Sequence, residues 1–160
     1  MATWKEVRAA APELAAAVQT CFDGHVHKVI ATLRRDGSPR ASGTEATFWG
    51  DDLWLGMMPD SVKALDLLRD PRFALHSATV DPEMAGGDAK LSGRAIEIVD
   101  DATIAAFVGR FEEERGQEPP QPFHLFRVDV TEIVRTTVEG DRLVIESWRE
   151  GEGSKRVERT

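Results

Sequence analysis

The sequence predicts a mainly β fold, a barrel of six to seven mostly antiparallel strands with flanking helices. Three observations carry this. Apolar, β-branched runs recur at short spacing through the 160 residues, with turn signals between them. The links between the first three runs are too short for helical crossovers, so those strands pair antiparallel. Strands this short and dense leave open edges unless the sheet curls on itself, and closure is the usual remedy.

Each element follows from local pattern. Residues 4 to 22 carry Trp4, Val7, Leu14 and Val18 at helical spacing, and Pro12 splits the segment or starts a second helix. Val26 to Arg35 is a strand, and Asp36-Gly37 turns it into a return strand from Pro39 to Trp49. Gly50-Asp51-Asp52 leads into Leu53 to Met57, completing a three-strand meander. A helix runs from Ser61 to Arg69, and a strand from Arg72 to Val80. Residues 81 to 88 read as a mobile loop. Lys90 to Val99 resumes β character, and Gly93 inside it marks a bulge or a close approach of a ligand.

Asp100 or Asp101 caps a helix from Ala102 to about Arg115, with Ile104, Phe107, Val108 and Phe111 on one face. The run Glu118-Pro-Pro-Gln-Pro122 is irregular. His124 to Val138 is a long strand, and Glu139-Gly140-Asp141 turns it into Leu143 to Trp148. Residues 1–150 form one domain, and 151–160 read as a loose polar tail.

Composition narrows the function. A net charge of −8 argues against nucleic acid and against anionic membranes as partners. No apolar run approaches a membrane span. Cys21 is the single cysteine, so no intramolecular disulfide forms, and with no signal peptide visible a cytoplasmic location is expected. Cys21 reads as an inert thiol, and Met57 and Met58 serve first as packing residues. Glu112-Glu113-Glu114 is a solvated helix face. His25 and His27 point to one side of their strand, but a metal site needs a further ligand and none is evident.

The stretch Gly56-Met57-Met58-Pro59-Asp60-Ser61-Val62-Lys63 carries the chemistry. It reads as a strand end, a turn and a helix start. A helix start offers unpaired N–H groups and partial positive charge. The Ser61 hydroxyl and Lys63 ammonium, added to these, make a phosphate cradle.

With these elements in place, the chain resembles the pyridoxamine-phosphate-oxidase-like, FMN/deazaflavin-binding split-barrel family. The residues that carry the likeness are Val29-Ile-Ala-Thr-Leu-Arg-Arg-Asp-Gly-Ser-Pro-Arg40, Ser61-Val-Lys63 with Leu67-Leu-Arg-Asp-Pro-Arg72 and Ala74-Leu75, and Leu91-Ser-Gly-Arg-Ala95. They cover residues 25 to 99. The resemblance implies a homodimer with its cofactor in a groove between subunits. It also implies an oxidoreductase that transfers hydride to or from a small-molecule substrate.

Carried over, Ser61 and Lys63 hold the phosphate with Val62 between them, and Arg40 and Ser42 add polar contacts on one face of the second strand. Met57 and Met58 line the ring, and Trp148 reaches the partner's site. The Arg-Leu-His arrangement that holds vitamin B6 substrates is absent near the C-terminus. Asp60 stands beside the cradle, where it repels phosphate unless it points away or caps the helix.

FMN is the first expectation for the cofactor, and the deazaflavin coenzyme F-420 is the alternative. The long acidic tail of F-420 favours a trail of cations, which Arg34, Arg35 and Arg40 around the first hairpin could supply. Heme also binds this fold, with His25, His27, His76 and His124 as possible ligands. A flavin carrier or sensor without turnover is a rival reading. In every flavin case the cofactor supplies the redox chemistry and the chain supplies position and electrostatics.

Overall fold

The computed structural model describes all 160 residues. The chain runs α1 (Trp4–Ala10), α2 (Pro12–Asp23), β1 (His27–Leu33), β2 (Pro39–Glu45), β3 (Thr47–Trp49) and β4 (Asp52–Met57). It continues through α3 (Val62–Arg69), β5 (Arg72–His76), β6 (Asp88–Ile98) and α4 (Asp101–Arg115). Three strands close it: β7 (His124–Glu139), β8 (Arg142–Arg149) and β9 (Gly153–Arg159). No helix is long and apolar enough to cross a membrane.

All nine strands form one antiparallel sheet in the order β2-β1-β5-β6-β7-β4-β3, with β8 and β9 branching from β7. The ladder does not close: β2 and β3 are its two ends, and no strand pairs across them. They are consecutive in the chain, with only buried Ala46 between them. The chain itself bridges the seam. This is the mainly β, split-barrel architecture the sequence predicts.

The local chemistry explains the elements. Pro12 begins a separate helix, as its fixed φ allows at a first turn. Thr3 and Glu6 form a reciprocal capping box for α1. Asp100 is the residue that caps α4, accepting from the Thr103 amide at 2.8 Å. Trp4, Val7, Ala15, Val18 and Phe22 project from α1 and α2 into the main core, against Ile30, Leu55, Leu91 and Ile133 of the sheet.

Three expectations are corrected, and the bulge expected at Gly93 is present. The predicted 39–49 strand is two strands: β2 stays with β1, while β3 turns at Ala46 to pair with β4. The first three runs therefore do not form a simple meander. The strand predicted to reach Val80 ends at His76. The polar tail is not loose, because Gly153–Arg159 pairs along the whole of β8. What approaches at Gly93 is backbone: a Cβ there would lie 2.2 Å from the Asp129 carbonyl oxygen.

Candidate functional site

The turn after β4 sets the geometry. The Ser61 amide donates to the Met58 carbonyl at 3.3 Å, Pro59 takes the second position, and Asp60 adopts φ 60°. This is the pattern of a type II turn. It leaves Asp60 exposed, and the cap position passes to Ser61. Asp60 is therefore not the cap.

Ser61 occupies the N-cap of α3 without using its side chain as a cap. Its Oγ is shut off from solvent and has no hydrogen-bond partner. Lys63, one residue into the helix, reaches back to β2 and donates to the Gly43 carbonyl at 2.6 Å. No carboxylate pairs with it. Burial pushes the Lys63 ammonium below its ordinary pKa. A half-buried cation and an orphaned hydroxyl thus meet at one helix start, where N–H groups are already unpaired.

Beside Lys63 lies a cavity of about 390 Å³. Strand residues Gly43 and Glu45 of β2 and Trp54, Gly56 and Met57 of β4 line it, with Met58 and Lys63 beside them. Phe107 and Phe111 of α4 and Pro119, Pro120 and Phe123 of the segment after it form its helix side. Gly43 leaves β2 bare, while the Phe107 ring packs over Gly56. A Cβ on Gly43 would meet nothing within 4 Å, and one on Gly56 would meet only the Phe107 ring at 4.0 Å. Because β2 ends the sheet, its outer backbone edge has no strand partner and is free to hydrogen-bond a ligand.

The structure gathers Met57, Met58 and Lys63 on this cavity; Ser61 does not line it and stands two residues before Lys63, at the N-cap of α3. Arg40, Ser42, Val62 and Trp148 do not line it. Arg40 donates to Asp66 at 2.7 Å, and Asp66 also accepts from Arg69 at 2.9 Å and Thr32 at 2.9 Å. Asp66 is 3% exposed, so Arg40 is committed to a buried carboxylate. Ser42 pairs with Ile30 inside the sheet. Val62 is the first helical residue of α3 and points to solvent at 57% exposure. Trp148 packs within the main core of its own chain.

Sequence reasoning missed the helix side of the cavity. Phe107 and Phe111 were legible as one helix face, but nothing local paired that face with Trp54 or with the proline run. His27 also lines the cavity, as the only histidine to do so. His76 Nδ1 donates to the Ser77 carbonyl at 2.8 Å, and His124 sits 3.1 Å from Glu97.

Comparison with known proteins shows the family and the fold. A family model described as pyridoxamine 5'-phosphate oxidase matches residues 14–137. The chain belongs to that family. Among solved structures it is similar to PhzG from Burkholderia lata 383, crystallised with tetrahydrophenazine-1-carboxylic acid. That match has a TM-score of 0.60 and 14% identity, covering 98% of this chain and 92% of that one. Campylobacter jejuni ChuZ gives a TM-score of 0.68 at 13% identity, covering 89% and 62% of the two chains. An F-420 reductase gives 0.53 at 22% identity, covering 68% and 88%. These likenesses concern the fold. No curated protein sequence matches the chain.

Proposed function

We propose that this chain is a flavin-dependent oxidoreductase that binds FMN, with its phosphate at Ser61 and Lys63 and its ring on the strand side of the cavity. The observation that carries the reading is Lys63: a half-buried ammonium at a helix start, bonded only to the Gly43 carbonyl. Such a cation stabilises a buried phosphate more than a solvated one does. The residues fit the group in three further ways. Ser61 Oγ is an orphaned buried hydroxyl, which a phosphate oxygen would satisfy. Gly43 leaves room for a flat ring against β2, since a Cβ there would meet nothing within 4 Å. The unpaired outer edge of β2 offers backbone donors and acceptors to the polar edge of that ring.

When bound, FMN supplies the electron-transfer chemistry itself. Lys63 and the first-turn amides of α3 hold its phosphate. Met57, buried, and Met58, exposed, form a soft apolar surface beside the ring. The β2 edge fixes which way the ring faces. No acid–base side chain is assigned.

Coenzyme F-420 is the alternative, supported by the resemblance to an F-420 reductase. FMN is favoured because the hairpin cations are engaged locally. Arg34 bonds Ser38 and Pro39 of its own turn, and Arg40 is bound to Asp66. That leaves Arg35 alone to meet an acidic tail.

A homodimer with the cofactor between subunits belongs to the same proposal, and so does a reducing, cytoplasmic setting suited to one free cysteine. The outward face of β1, β5 and β7 supports the dimer, because Val29, Ala31, Ala74 and Val134 line a shallow depression there.

Titrating the apoprotein with FMN and with F-420, followed by flavin fluorescence, tests the reading. FMN is expected to bind more tightly. Lys63→Ala should weaken FMN by about ten-fold, the worth of one charge-assisted phosphate contact. Affinity should also fall as pH rises through the lowered Lys63 pKa. Unchanged affinity in a folded Lys63→Ala variant would overturn the assignment.

A further inference from the structure

The helix side of the cavity differs in chemistry from the strand side. Phe107 is its hub. Its ring centroid lies 4.8 Å from Trp49, 6.0 Å from Trp54, 6.3 Å from Phe111 and 5.9 Å from Phe123. These residues form an aromatic cluster separate from the main core. Phe107 is the only buried residue of α4, so one aromatic key holds a fifteen-residue helix over the cavity.

This wall has no side-chain hydrogen-bond donor to spare. Trp49 Nε1 donates to Glu114 at 2.8 Å, and Trp54 Nε1 donates to the Trp49 carbonyl at 3.3 Å. Phenylalanine side chains offer none, and Pro119 and Pro120 lack even a backbone N–H. A ring with polar groups all along one edge would leave several of them unsatisfied here, at roughly 1–3 kcal/mol each. An uncharged ring that needs no donor from the wall, any lone acceptor being turned towards water, would lose little and would gain stacking.

The charges at the mouth are also matched. Arg115, at the end of α4, lies over the Phe111 ring at 5.6 Å and pairs with Glu45 of β2 at 3.3 Å. Glu45 and Phe111 line the cavity and Arg115 does not, so the pair sits at its margin. It neutralises its own two charges, and Lys63 is the one Lys or Arg side chain that lines the cavity, which leaves the helix side without a cation to hold an anion.

We propose that this aromatic wall is a second subsite, and that it takes a flat, uncharged aromatic molecule as the substrate class of the chain. The proposal rests on the reading of the strand side as the flavin seat. The polar edge of the flavin belongs at β2, and the donor-free wall faces the space left over it.

The test measures binding of coumarin and of coumarin-3-carboxylate to the FMN-loaded protein by isothermal titration calorimetry. Coumarin should bind, and the carboxylate should bind at least about ten-fold more weakly, since its charge would be desolvated without a partner. Phe123→Ala and Phe111→Leu should each weaken coumarin by about five-fold or more while FMN affinity stays within about two-fold. Phe123 is only half-buried, so its variant carries the test should the Phe111 variant melt early.

Parallel loss of FMN affinity in both variants would show that the wall seats the flavin ring itself, overturning the subsite and sparing the cofactor reading. Equal or tighter binding of the carboxylate, absence of coumarin binding, or coumarin binding indifferent to both variants would also overturn it. If FMN does not bind, the same coumarin titration on the bare protein still decides. Wall-dependent binding there upholds the subsite while the cofactor reading fails.

Discussion

Ser61 shows how a residue can stand at a structural position without doing the structural job. As an N-cap serine it would stabilise α3 by about 1 kcal/mol through its side chain. It makes no such bond, and its Oγ is buried and unsatisfied. Ser61→Ala should therefore not lower thermal stability, and should raise it by up to about 1–3 kcal/mol, because a buried hydroxyl with no partner is a cost to the fold. The same change should weaken FMN binding by several-fold, read by fluorescence titration. A clear drop in melting temperature with unchanged FMN affinity would show that the hydroxyl acts as a cap in solution. Ser61 and Lys63 were legible in the sequence because a helix start is local: turn residues, cap and cation lie within five positions. Arg40 was not. Its partner Asp66 lies 26 residues away on α3, and a polar residue on a strand face looks the same whether it meets a ligand or a buried carboxylate.

Helix α3 carries that carboxylate on its buried face, with Ala64 and Leu67 on either side. Burial pushes the Asp66 pKa up, but hydrogen bonds from Arg40, Arg69 and Thr32 outweigh it, and the net shift is downward. The folded pKa thus lies below the unfolded value of about 3.9. The stability it contributes is present above the unfolded pKa and is lost as pH falls through the folded one. Asp66→Asn should cost about 3 kcal/mol near neutral pH, since Arg40 and Arg69 would lose their counter-charge in a largely buried site. Urea melts at pH 7 and pH 3 should show the gap between parent and variant narrowing at the lower pH. A constant gap would mean that packing, and not charge, sets the loss. The helix itself was legible from its boundaries, and Asp66 inside it was not, because a charged residue on a short helix is assigned to solvent by default. Strand β9 was missed for a related reason. All seven of its residues are exposed, so no apolar alternation marks it. Backbone pairing to β8 and cross-strand ion pairs such as Arg142 with Glu158 at 2.7 Å hold it in place. Sequence periodicity reports burial, and this strand buries nothing.

At the scale of the whole molecule, the sheet presents one face to the helices and the core and leaves part of the other in water. Val29 is 48% exposed on that outward face, with Ala31, Ala74 and Val134 beside it. On α3, Val62, Leu65 and Leu68 repeat every three residues and are 57%, 44% and 42% exposed. Burying apolar surface yields roughly 25 cal/mol per Å², and a standard interface takes about 800 Å² from each partner. A second copy of the chain is the partner proposed for these surfaces. Light scattering should then return twice the 17.7 kDa chain mass. Each copy carries a net charge of −8, so association should strengthen with added salt as like-charge repulsion is screened. Val29→Glu places a carboxylate on the outward face of β1 without touching the core. It should leave the fold within about 0.5 kcal/mol of the parent and shift the mass to that of one chain. With the cofactor groove formed between subunits, the same variant should also lose FMN affinity, although Val29 does not line the cavity. A monomeric parent protein would remove the dimer from the proposal. A monomeric Val29→Glu variant with full FMN affinity would confine the cofactor site to a single chain, held by Lys63, Ser61 and the edge of β2 alone.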